Sequence, residues 1–384
     1  MPAQEEGMPQ VFVPKEVVEG ETRVACTPET TKRYVKEGLD VVVESDAGKH
    51  AHFTDAHYRD AGAKIVAGAE AEAAWANADI VVRVYPITPD EASKIKEGAI
   101  LIGFMSAHKN LDSVRILRDR KVSTMAMELV PRISRAQSMD ALSSQASISG
   151  YQAVLMAATY LDKYFPLLMT AAGTIQPAKI VIMGAGVAGL QAIATARRLG
   201  AVVEVSDIRP SVKEQIESLG GRFIDVPMDE SGEGEGGYAR ELTPEQLKAQ
   251  QEIVRKKVVA ADAVITTALV PGRPAPKLIT KDMVEEMRDG AVIVDLAVEQ
   301  GGNCELSKSG EMVVEYGVTI IGHPNLPAAT PADASLLYSR NILALLLSTL
   351  SEGEVVLNLE DEILDGVLLT HNGEVRHGPT AEAL

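Results

Sequence analysis

The chain has 384 residues, 46% hydrophobic and 24% charged, a globular composition long enough for two cores rather than one. A formal net charge of −17 speaks against nucleic acid or an anionic lipid surface as the main partner. Its two cysteines, Cys26 and Cys304, give neither a disulfide framework nor a zinc spacing, which fits a reducing compartment, and no metal site is expected.

The acidic start "MPAQEEG" has no apolar h-region, so no signal peptide is expected. The first third then alternates strand-like runs with polar, helix-compatible stretches. The runs are "VFVP" at Val11, "DVVVES" at Asp40, "KIV" at Lys64, "ADIVVRV" at Ala78, "AILIGFM" at Ala99 and "VSTMAMEL" at Val122. Near-continuous β-branched runs mark strands buried on both faces of a parallel sheet.

Next comes "PRISRAQSMDALSSQ", Pro131 to Gln145, before a long apolar helix-like run. It holds arginines, glutamines, serines and an aspartate but no glycine or histidine. Composition alone leaves open a hydrogen-bonding site or a polar, helix-capping linker.

"GAGVAG", Gly184 to Gly189, follows the buried strand "KIVIM" and opens a helical stretch; a second strand then ends at Asp207. In that context G-x-G-x-x-G reads as a dinucleotide turn. Gly184 permits the tight turn, Gly186 admits a pyrophosphate, and Gly189 allows close helix–strand packing. The helix N-terminus offers free N–H groups and a positive dipole end. Asp207 would accept from an adenosine ribose and repel a 2′-phosphate, favouring NAD over NADP, although Arg209 is of a type that holds a 2′-phosphate. The bland alternative is a βα turn without a ligand.

"SGEGEGGYARE" places Tyr238 among glycines, either a lid that covers a nucleotide or a disordered acidic insertion. After Pro331 an apolar helix, "DASLLYSRNILALLLSTL", contains the chain's nearest approach to a membrane span and falls far short of one. It is also expected to present apolar surface to a second copy. The tail carries "EVVLNL" and "GVLLTHNGEV", with a turn signal at Asn372-Gly373, and is expected to return to the first domain or to a dimer contact. The predicted fold is α/β: two doubly wound, Rossmann-like parallel-sheet domains separated by a cleft. Residues 1–141 plus 331–384 form the N-terminal domain and 142–330 the NAD(H)-binding one.

The Pro131–Gln145 loop, followed by "GAGVAGLQAIATARRLGA", resembles the NAD(H)-binding soluble α subunit of the proton-translocating nicotinamide nucleotide transhydrogenases. Further matches are "PKEVVEGETRVACTPE", "TAAGTIQPAKIVIMGAGVAG", "EGGYARE", "TTALVPGRPAPKLIT" and "VIVDLAVEQGGN". The resemblance spans nearly the whole chain. It implies that the loop lines the nicotinamide site through Arg132, Gln137, Asp140 and Ser143. It also implies that Val187, Ile208, Ala268 and Leu269 adjoin the bound NAD(H), and that Tyr238 sits on a mobile loop. Arg135 stays outside this set as a salt-bridge candidate. Further implications are a homodimer, an NADP(H)-binding partner subunit, and hydride transfer with Si-side/Re-side specificity. Membrane-embedded subunits would hold the chain at the cytoplasmic side of the membrane.

Alanine dehydrogenases are similar in fold and share the "DLAVEQGG" motif. They need a lysine after the fourth strand and a histidine after the fifth; here Arg83 and Phe104 stand there, with His108 four residues late. Arg23 and Asp295 are retained and expected to serve architecture. Alanine dehydrogenase is the alternative reading, and a non-catalytic NAD(H) sensor a third.

Overall fold

A computed structural model describes residues 8–225, 244–269, 274–351 and 354–384. They divide into two compact units, Met1–Gln145 with Pro327–Leu384, and Ala146–Leu326. The strands in chain order begin with β1 (Gln10–Val13), β2 (Asp40–Glu44), β3 (Lys64–Val66), β4 (Ile80–Val82), β5 (Ile100–Gly103) and β6 (Ser123–Ala126). Then come β7 (Leu168–Thr170), β8 (Gly173–Ile175), β9 (Lys179–Met183), β10 (Val202–Ser206), β11 (Arg222–Phe223) and β12 (Ala263–Thr266). The last are β13 (Val292–Asp295), β14 (Met312–Glu315), β15 (Val318–Ile321), β16 (Leu350–Ser351), β17 (Glu354–Val355), β18 (Leu368–His371) and β19 (Glu374–Val375).

The fold is α/β with two domains. In the first unit the sheet runs β3-β2-β1-β4-β5-β6, all parallel, then β18 and β19 antiparallel. Alternate residues of each strand feed separate cores: Val11, Val13, Ile80 and Val82 on one face, Phe12 and Val81 on the other. Burial of both faces is why these runs show no polar alternation.

The tail thus returns to the first unit's own sheet. A two-residue loop of Asn372 and Gly373, both at positive φ, joins β18 to β19, as the right-handed twist of a hairpin requires. The helix Pro331–Leu347 buries Tyr338, Ile342, Leu345 and Leu346 in the same core. This corrects one expectation: the apolar run after Pro331 offers no dimer surface, because its own chain buries it.

In the second unit the sheet order is β11-β10-β9-β12-β13-β15-β14, parallel except for the edge strand β14. Strand order reverses between β9 and β12, the place where open α/β sheets bind ligands beyond their carboxyl ends. The hairpin β7–β8 belongs to neither large sheet.

Candidate functional site

Both sheets reverse beside their first strand, yet only one reversal is open to a phosphate. In the first unit the chain leaving β1 brings in Glu16, whose carboxylate accepts from the Arg83 guanidinium (2.9 Å) and the Val84 N–H (2.7 Å). Arg83 lies 1% exposed at the end of β4, also paired with Glu91 and stacked near Trp75. A buried carboxylate there excludes an anion. Phe104 packs on Tyr338, whose hydroxyl donates to the Arg83 carbonyl (2.8 Å). Arg23 is likewise committed, to Glu21 by two bonds and to the Gln145 amide oxygen. None of the side chains at the amino-acid dehydrogenase positions is left to hold a substrate.

The second unit's reversal is built differently. After β9 the chain turns at Gly184 with φ +103°, a conformation L side chains resist. Its N–H donates to the Ser206 carbonyl (2.8 Å), and the Ala185 N–H to the Asp207 carboxylate (2.7 Å). Gly186 caps the helix Val187–Arg198 without a side-chain bond, so the first-turn N–H groups stay open. The space over Gly186 is clear to 4 Å, the room a pyrophosphate needs for close approach. At Gly189 a Cβ would be driven into the Gly184 carbonyl oxygen. The turn therefore fits a dinucleotide phosphate.

Around it stand half- to fully exposed apolar side chains: Val187 (43%), Ile208 (90%) and Leu269 (49%). Ala268 is fixed through its backbone, donating to the Asn303 side-chain oxygen (3.1 Å) and accepting from its amide (2.9 Å). Asn303, fully buried, and Thr267, whose hydroxyl donates to the Gly184 carbonyl (3.1 Å), hold the turn in place. Sequence reasoning missed both, although they stand inside the "TTALVPG" and "EQGGN" motifs. Asp295 accepts from Thr266, Ala297, Cys304 and Ser307 and is wholly architectural. Tyr238 lies outside the described residues.

Asp207 closes this site. Burial alone would raise its carboxyl, but hydrogen bonds from Arg209 and the Ala185 N–H outweigh that and hold it below the usual carboxylate range. Arg209 binds it through its backbone N–H (2.8 Å), Nε (3.0 Å) and Nη2 (3.0 Å).

The Pro131–Gln145 loop belongs to the first unit. Residues Ser134–Met139 form a 3₁₀ turn anchored by buried Ala136 and Met139. The Asn341 amide, from the helix Pro331–Leu347, donates to the Ser138 carbonyl (2.8 Å) and accepts from the Ser144 hydroxyl (2.7 Å). Arg135 is paired with Asp361. Asp140 caps the helix Ala141–Tyr160, accepting from the Ser143 N–H (2.9 Å) and hydroxyl (2.6 Å). With its proton committed, the Ser143 hydroxyl is left as an acceptor. Arg132 and Gln137 are exposed, and their side chains have no partner among the described residues.

The alanine dehydrogenase/PNT N-terminal domain matches residues 12–149, and the C-terminal domain of the same family matches residues 153–378. The chain belongs to this family. A NAD(P) transhydrogenase subunit alpha of Rhodospirillum rubrum, the first piece of a divided subunit, is 48% identical, over 96% of this chain and 98% of that protein. The crystal structure of a transhydrogenase from Sinorhizobium meliloti superposes with a TM-score of 0.87 at 44% identity, covering 95% of this chain and 99% of that one. An alanine dehydrogenase of Staphylococcus saprophyticus is more distant within the family, at 31% over 97% of this chain and 96% of that protein. No helix among the described residues is long and apolar enough to cross a membrane.

Proposed function

We propose that this chain is the NAD(H)-binding subunit of a proton-translocating NAD(P)⁺ transhydrogenase. It passes a hydride directly between NAD(H) held here and NADP(H) held by a partner subunit. Proton coupling lies with membrane-embedded partners, to which the chain attaches peripherally at the cytoplasmic face. The likeness to transhydrogenase alpha subunits supports the class. The observation that carries the mechanism is the loop, in which Arg135, Ser138, Asp140 and Ser144 are tied down while Arg132 and Gln137 remain free.

Hydride transfer between two nicotinamides moves no proton at a heteroatom, so it needs no general acid or base. It needs placement and the exclusion of water. Bound NADH supplies the hydride. The helix N-terminus after Gly186 holds the pyrophosphate and Asp207 the ribose. Ser143 accepts from the carboxamide, Asp140 fixes the serine rotamer, Arg132 grips the dinucleotide, and Gln137 reaches to the second nucleotide. The alanine dehydrogenase alternative loses its support with Arg83 buried between carboxylates and a phenylalanine at position 104.

The chain also forms a homodimer under this proposal, through a surface other than the apolar run after Pro331. Tyr164, Leu167, Met169 and Ile175 stand 40% to 77% exposed on and beside the hairpin β7–β8, and a second copy would cover them.

Single-turnover transfer with the NADP(H)-binding partner tests the reading. Gln137→Ala should keep NADH affinity within a few-fold and slow transfer roughly 10- to 100-fold, as expected when a positioning contact near the reacting atoms is lost. Normal transfer by that variant, in a complex shown to form, would make the loop a linker. Steady NADH formation from NAD⁺ and L-alanine would favour the dehydrogenase.

A further inference from the structure

A carboxylate offers about four acceptor positions, two on each oxygen. In Asp207 all of them are filled. Oδ1 accepts from the Arg209 backbone N–H and Nε, and Oδ2 from the Ala185 N–H and Arg209 Nη2, at 2.7 to 3.0 Å. The backbone donors are fixed by the turn, whereas the guanidinium belongs to a side chain 54% exposed over a carboxylate 5% exposed. Only the guanidinium can leave without unfolding the strand end.

We propose that Arg209 is an affinity-setting clasp: the ribose diol of the dinucleotide gains Asp207 only by displacing the Arg209 guanidinium from it. This rests on the dinucleotide reading of the turn and adds a residue that acts against binding. The two ribose hydroxyls replace two N–H donors of the same carboxylate, so the exchange conserves hydrogen-bond number and surrenders an ion pair. The clasp therefore weakens the ground-state complex and hastens release, which suits a carrier that must load and unload at every turnover. It also keeps the guanidinium away from a 2′-phosphate while Asp207 is present, so one pair of residues governs both affinity and selectivity.

The test is titration of wild type and Arg209→Ala with NADH, read by nucleotide fluorescence, with circular dichroism to verify folding. Arg209→Ala should bind NADH roughly 3- to 10-fold more tightly, with slower dissociation, because two acceptor positions are freed in advance. The difference should narrow as salt rises, since screening weakens the exposed pair in wild type only. It should also shrink for ADP-ribose lacking the 2′-hydroxyl, which cannot claim both positions. Affinity unchanged or weakened in Arg209→Ala would overturn the clasp alone. Failure of wild type to bind NADH would overturn the dinucleotide reading with it.

Discussion

Asp207 stays ionised at neutral pH, and an ionised carboxylate accepts hydrogen bonds without donating any. That state is what a ribose diol requires and what a 2′-phosphate meets as a like charge. Asp207→Ala should weaken NADH binding by roughly 10-fold or more while improving NADPH relative to NADH, the loss corresponding to one charge-assisted contact. Competitive fluorescence titration with the two nucleotides measures this, and unchanged selectivity would remove Asp207 from the site. The pH dependence has a defined sign. The folded carboxyl titrates below its unfolded value, so the stabilisation from its partners is present at neutral pH and lost as pH falls through the depressed folded pKa. Ser143 likewise depends on its neighbour. Its identity suggests a hydrogen-bond partner for a carboxamide, but only the bond to Asp140 shows that its remaining capacity is to accept.

The helix Val187–Arg198 must come close enough to β9 and to the helix Ala141–Tyr160 for its first turn to face the turn's open side, and glycines make both approaches. A Cβ at Gly150 would be driven into the backbone of Ala188, one residue into the phosphate-facing turn. Because the obstacle is backbone, no side chain can swing aside. Gly150→Ala should cost about 1–3 kcal/mol of stability, a typical overpacking penalty, and weaken NADH binding by tilting the helix start. Thermal denaturation with and without NADH would show both effects; a melting temperature equal to wild type would refute the close approach. At this scale much was legible in the sequence. The parallel strands from β1 to β6 were visible because burial on both faces enforces β-branched runs, and the tail hairpin because Asn-Gly suits its turn. The edge strand β14 and the hairpin β7–β8 were not, because "MVVE" is half-exposed and "LMTAAGTI" has no strict alternation. The Glu16–Arg83–Glu91 cluster was equally hidden, since its members meet only once the sheet has formed. Arg23 and Gln145 are 122 residues apart in sequence, and no local signal links them.

Across the whole molecule, the apolar surface that the chain leaves uncovered lies elsewhere than composition suggests. The most apolar run, after Pro331, is buried against its own sheet. The less conspicuous stretch from Tyr160 to Ile175 keeps Tyr164 at 59%, Leu167 at 50% and Met169 at 77% exposure. A two-stranded hairpin standing outside both sheets gains too little from its own pairing to persist in water unless something packs on it. A second copy is the simplest cover, because a two-fold axis lets one patch serve as both halves of the contact. Sedimentation at micromolar concentration should therefore give twice the 40.9 kDa chain mass. Met169→Asp should shift it toward monomer, since a charge placed in an apolar contact finds no partner there. Far-ultraviolet circular dichroism and the NADH affinity of Met169→Asp should stay close to wild type, because the hairpin shares no strand pairing with the nucleotide-binding sheet. A wild-type mass equal to one chain at every concentration would leave the hairpin to a different partner and remove the dimer from the proposal.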